Sequence, residues 1–127
     1  MIFKKSVFHI FFLCAASSVS ADSFDSLMSN GYSLALTSEV GNGNLWMYLQ
    51  KSHNMYICLN LPGVNRIEEC RTVAATGRTS YIDLLRSGAK LIAHNRVGNG
   101  NEWLTFLQGS QTVSCLAMPG IYTIECK

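Results

Sequence analysis

Two stretches of the chain go through the same change of hydrophobic period. Phe24, Leu27 and Met28, and later Tyr81, Leu84 and Leu85, recur at spacings of three and four, which predicts a short amphipathic helix in each place. Ser23 and Ser80 stand where an N-cap belongs, and Gly31 and Gly88 where a left-handed residue ends a helix. Beyond each glycine the period falls to two. Leu34, Leu36 and Val40 alternate with Ser33, Thr37 and Glu39, and Leu91, Ala93 and Val97 alternate with Lys90, His94 and Arg96. Such alternation predicts a strand with one wet face, and it puts His94 in solvent. The Gly-Asn-Gly-Asn runs at 41–44 and 98–101 tolerate positive φ, so 45–50 and 102–107 return as antiparallel strands. Strands 55–61 and 112–118 follow, each ending in a Pro-Gly pair that suits a type II turn into a last strand.

Sliding the chain by 57 positions lays 23–68 on 80–125 without a gap, and 16 of those 46 pairs are identical. The chain therefore reads as a duplicated unit. The predicted fold class is α+β, mostly β: a helix and a four-stranded meander, written twice. One repeat covers 23–70, the other 80–126, and 71–79 connects them. A unit of about 50 residues buries too little surface to stand alone, so the two should share a core as one pseudo-symmetric antiparallel domain over 22–127.

The repeat also arranges the cysteines. Cys58, Cys70, Cys115 and Cys126 admit three pairings, and the duplication selects Cys58 with Cys70 and Cys115 with Cys126, one bridge per unit. A two-residue Pro-Gly turn sets Cys115 opposite Ile124 and leaves Cys126 diagonal on the same face. The first unit carries one extra residue, so Cys70 regains that face only through a bulge near Glu68 and Glu69.

The start of the chain reads as an address. Lys4 and Lys5 precede an apolar run through Phe8, Ile10, Phe11, Phe12 and Leu13, and Val19, Ser20 and Ala21 supply small residues for cleavage. This is the pattern of a secretory signal peptide over 1–21. The run falls short of the ~20 apolar residues of a membrane span. Leu13 stands where a lipid-attachment motif at Cys14 would want a small residue. Export to the periplasm or beyond suits a disulfide-stapled chain. Removing the leader takes two lysines with it and leaves basic and acidic residues equal in number. A neutral chain without a basic run lacks the electrostatic footprint of a nucleic-acid binder.

Catalytic patterns are sparse. There is no zinc-ligand spacing, no serine nucleophile elbow and no phosphate-binding loop ahead of a helix, and all four cysteines are used in bridges, so neither an enzyme nor a cofactor is expected. Glu68 and Glu125 occupy equivalent positions and offer a carboxylate pair in principle, but both read as charged edge residues. The two Gly-Asn-Gly-Asn turns are the best candidates for contact with a partner, through Asn42, Asn44, Asn99 and Asn101, with Glu102 beside them and His53 in the turn at 51–54. Trp46 and Trp103 face away from Leu45 and Glu102. With Glu102 taken as wet, both rings are expected in the core.

With its Val19-Ser20-Ala21 leader end, its paired cysteines and its small exported design, the chain resembles periplasmic immunity proteins that guard bacteria against secreted cell-wall-degrading effectors, including those of type VI secretion, and periplasmic lysozyme inhibitors. The resemblance lies in organisation and carries no residue roles. It implies a protein partner, a peptidoglycan hydrolase of the same compartment. A bivalent glycan-binding module built on the two Asn-Trp turns is the alternative from another class. Exposed strand edges leave a homodimer open.

Overall fold

The computed structural model describes residues 21–127. The leader read from 1–21 lies outside the described residues except for Ala21. The first half runs β1 (Ala21–Asp22), α1 (Phe24–Ser29), β2 (Ser33–Gly41), β3 (Asn44–Lys51), β4 (Asn54–Leu61), β5 (Arg66–Ile67) and β6 (Cys70–Thr72). The second runs β7 (Ala74–Gly77), α2 (Tyr81–Arg86), β8 (Lys90–Gly98), β9 (Asn101–Gln108), β10 (Gln111–Met118) and β11 (Thr123–Cys126). The fold is α+β and mostly β. One sheet has the order β1-β6-β4-β3-β2, with β5 also on β4, and the other β7-β11-β10-β9-β8.

Both helices start and stop as their sequences direct. Ser26 N donates to Ser23 Oγ and Ile82 N to Ser80 Oγ, each at 3.1 Å. Gly31 and Gly88 follow with φ of +95° and +94°. The amides of Tyr32 and Ala89 then reach back to the carbonyls of Leu27 and Leu84, which closes a Schellman turn after each helix.

The Pro-Gly pairs do not make two-residue type II turns. Each opens a 3₁₀ turn, Pro62–Val64 or Pro119–Ile121, which ends in a left-handed residue, Asn65 or Tyr122, at φ 53° or 54°. Proline's fixed φ suits the first position of such a turn, and its missing N–H costs nothing there. The longer turn shifts the register by two. Cys115 therefore sits directly opposite Cys126, and Ile124 faces Ala117 instead. The bridges are Cys58–Cys70 and Cys115–Cys126, each with Cα atoms 4.2 Å apart. In the first half β4 meets β5 with Asn60 opposite Ile67 but meets β6 with Ile57 opposite Arg71. The extra residue is absorbed at Glu68 and Glu69, where a bulge was predicted, and Cys70 returns to the face of Cys58.

The alternation read in β2 and β8 is interrupted. Register shifts between Leu34 and Leu36, and between Leu91 and Ala93, place Leu34 opposite Leu49 but Leu36 opposite Tyr48, on the other face. The connector is likewise not a loop. Its residues Ala74–Gly77 form β7, parallel to β11, so the strands exceed the expected eight. An uncovered β11 would leave a row of unpaired amides and carbonyls, which β7 satisfies. Gly77 makes the approach possible: at φ +90° it lies so close to β11 that a Cβ would overlap the carbonyl oxygen of Cys126. Gly77→Ala should cost more than ~1 kcal/mol, since strain at positive φ adds to that overlap. A urea midpoint equal to that of the wild type would show that β7 does not need the close approach.

Unlike faces of the two halves meet. On β3, Met47 and Leu49 pack with Leu27 of α1 and the Cys58–Cys70 bridge. Tyr48, on the other face, joins Met55 and Ile57 against Tyr81, Leu84, Leu104, Phe106 and Ile124 of the second half. Leu104 and Phe106 stand 57 residues on from Met47 and Leu49. The face that the first half turns to its own helix is thus the face that the second half turns both to α2 and to the first half. The counterpart of Tyr48 is Thr105, on the far side of the second sheet, away from the core.

Candidate functional site

The Gly-Asn-Gly-Asn runs close two hairpins. Gly41 pairs with Asn44 and Gly98 with Asn101, leaving two-residue turns whose central residues are Asn42 and Gly43 (φ 56° and 80°) and Asn99 and Gly100 (φ 55° and 80°). Positive φ at both central positions is the type I′ turn that matches strand twist, and Asn-Gly is the pair that adopts it at least cost. Demanding turn geometry is therefore enough to explain why the two runs are identical. The turns lie at one end of the molecule, because Gly100 lies beside the indole of Trp46, near enough that an added Cβ would be 3.7 Å from Nε1. Asn42 and Asn99 are exposed at the tips, and Asn44 and Asn101 are half-buried behind them.

The other residues read as contact candidates lie elsewhere. His53 sits in the turn after β3, at the opposite end of that strand, in a hollow with Tyr32, Tyr56, Tyr81 and Ile82. Glu102 is not wet. It is fully buried, so it cannot touch a partner directly. Its strand alternates as expected, but the face it shares with Leu104 and Phe106 is the one covered by the first half. His94 is exposed, as expected, with 38% of its side chain accessible, yet its Nδ1 lies 2.8 Å from Glu102 Oε1.

Oε2 of Glu102 and the Tyr48 hydroxyl are buried without a well-formed hydrogen bond among the described residues, although the two side chains interact with each other. Both belong to the junction of the halves. Burial, and then the charge of Glu102, hold the Tyr48 phenol above its ordinary pKa of 10.0, and burial first does the same for Tyr81, whose hydroxyl donates to Val73 O at 2.6 Å. In the unfolded chain these phenols ionise near pH ~10, while in the fold they stay protonated. The stability they contribute is therefore whole below that pH and lost above it. Denaturant midpoints measured between about pH 9 and pH 11 should fall for the wild type and fall less for Tyr48→Phe combined with Tyr81→Phe. Equal alkaline slopes would sink this account.

The tryptophans part company, against the expectation that both are core. Trp46 is half-buried between the halves, edge-on to Tyr122 with centroids 6.2 Å apart. Trp103, its counterpart, is 37% exposed on the outer face of the second sheet, with Lys127 Nζ 5.8 Å from its ring centre. The reason is the meeting of unlike faces: the same strand position is inside in the first half and outside in the second. Two matched Asn-Trp sites are thus not present. Glu68 and Glu125 also part. Glu68 pairs with Arg66 at 2.8 Å and borders a hollow with Leu59, Arg71 and Tyr122, whereas Glu125 borders another with Gly77 and Arg78.

No group of three or more metal-ligating side chains occurs among the described residues. No family model matches the chain, and neither does a curated protein or a solved structure.

Proposed function

We propose that the protein is an exported inhibitor of the immunity-protein kind, which blocks a cell-wall-degrading hydrolase in the periplasm by seating its paired turns in the enzyme's cleft. The observation that carries this reading is the pair of type I′ turns at one end of a doubly stapled sandwich, with Gly100 beside Trp46. Tips held in one conformation bind without a large ordering cost, which is what separates a tight inhibitor from a floppy loop. The disulfides fit an oxidising compartment. Among the described residues no helix is long and apolar enough to cross a membrane.

Affinity capture from periplasm should recover a peptidoglycan hydrolase, and cells exporting the protein should survive that hydrolase. Asn42→Gly with Asn99→Gly removes both tip amides while keeping residues that accept positive φ, and should weaken inhibition about tenfold or more. Recovery of no hydrolase, together with no protection, would end the reading.

A further inference from the structure

We propose that His94 and Glu102 form a general-base dyad, and that the groove between β2 and β8 hydrolyses small neutral carboxylic esters. The groove is bounded by Ala35–Thr37 and Leu91–His94, not by the Asn-Gly turns, so this activity stands apart from the inhibitor reading. Packing gives no reason for the carboxylate. Glu102 has no exposed surface and stands on the face of Leu104 and Phe106, where a charge bears the penalty of leaving water. The duplication did not supply it either, because Leu45 and Thr37 stand 57 residues before Glu102 and His94. Imidazole and carboxylate belong to the second half alone. Eight residues apart on the two arms of a hairpin, they match none of the catalytic motifs sought along the chain. A costly buried carboxylate held against one accessible imidazole is how active sites keep a base in place.

The geometry gives the imidazole access on one side and support on the other. Glu102 Oε1 lies 2.8 Å from His94 Nδ1, and the Tyr48 side chain interacts with the same carboxylate. Yet 38% of the His94 side chain is accessible. His94 stands opposite Leu104 and Leu36 opposite Tyr48, so both project into the open side of the sandwich, where the groove measures about 310 Å³. Leu36, Leu91 and Ile92 make its walls apolar. None of the lining residues carries a fixed charge, which suits a neutral acyl group and gives a phosphate ester no counterion. β2 and β8 end their sheets, so among the described residues their outward amides have no strand to bond and are open to an ester carbonyl.

With Nδ1–H donating to Glu102, the Nε2 lone pair is left for the substrate. Nε2 takes a proton from water as the water oxygen bonds to the ester carbonyl carbon. The tetrahedral adduct then expels its alkoxy group, which receives that proton from Nε2, and a carboxylic acid and an alcohol leave. Glu102 stays ionised throughout and balances the imidazolium. His94 is thus the catalytic residue, and Glu102 and Tyr48 position it.

The oxidised full chain should be assayed with p-nitrophenyl acetate and with p-nitrophenyl phosphate. The acetate is expected to be hydrolysed with saturation, and His94→Gln should lower kcat/KM about a hundredfold. Glutamine still offers Glu102 a donor, so this variant should keep the wild-type urea midpoint. Glu102→Leu with Tyr48→Phe should stay folded, lower kcat about tenfold or more and leave KM within about twofold, a split that a merely structural role would not give. Should that double variant unfold, Glu102→Gln carries the same expectation. Turnover of the acetate no faster than in His94→Gln overturns the activity. A folded double variant as active as the wild type overturns the dyad, and faster cleavage of the phosphate than of the acetate overturns the ester class.

Discussion

Replacing all four bridged cysteines by alanine is expected to leave a chain that does not fold at room temperature. Each bridge closes a loop of 11 or 12 residues, worth about 3 kcal/mol in the chain-entropy picture, so the pair amounts to ~6 kcal/mol. A domain of this size has a total stability of only about 5–15 kcal/mol. The bridges are not equivalent in what they touch. Cys115–Cys126 belongs to the large cluster shared by both halves, with Phe106 and Ile124, whereas Cys58–Cys70 belongs to the smaller one under α1. Cys115→Ala with Cys126→Ala should therefore lower the urea midpoint further than the equivalent change at Cys58 and Cys70, because it also empties space in the core that joins the halves. A four-alanine variant that melts like the wild type would show that the hairpins hold themselves.

His94→Ala should cost about 1–3 kcal/mol, although the imidazole itself is 38% exposed on an edge strand. It removes the partner of Glu102, a side chain with no exposed surface and one oxygen already without a well-formed hydrogen bond. Stranding a buried carboxylate is among the costliest single changes open to a small domain. The opposite experiment replaces the group itself. Glu102→Leu restores the residue found 57 positions earlier at Leu45, and with Tyr48→Phe it removes both members of this buried polar pair at once. That double variant should be as stable as the wild type or more so, since a well-packed apolar substitute avoids the desolvation penalty. Urea unfolding with an unchanged m-value checks both results. A mild His94→Ala alongside a crippled double variant would mean that Glu102 holds the halves together in a way its contacts do not reveal.

Local grammar was legible in the sequence because it is decided within a few residues. Ser23, Ser80, Gly31 and Gly88 cap helices through contacts two to five residues away, and Asn42-Gly43 meets its turn requirement alone. The cysteine pairing followed from the 57-residue repeat, and the bulge at Glu68 and Glu69 from counting along one hairpin. The Pro-Gly turns failed because type II and 3₁₀ turns share the same proline, and the residues that decide between them are Asn65 and Tyr122, one of which is a poor candidate for positive φ. Glu102 and Trp103 failed for a different reason. Alternation reports which residues share a face, not which face is covered. With two similar halves, that depends on how they meet. A glutamate among Leu104 and Phe106 was the available signal, and the period was overruled by the charge. β7 has no periodic signature, since its role is set by the open side of β11.

A two-fold arrangement would have consumed like surfaces together, but in this molecule each half offers one side and accepts with the other. Identical subunits joined in this way form a ring where the rotation closes and a fibre where it does not. On the far side of the second sheet Thr105, Thr112 and Ser114 stand where Tyr48, Met55 and Ile57 make apolar contact inside, so that face does not repeat the junction between the halves.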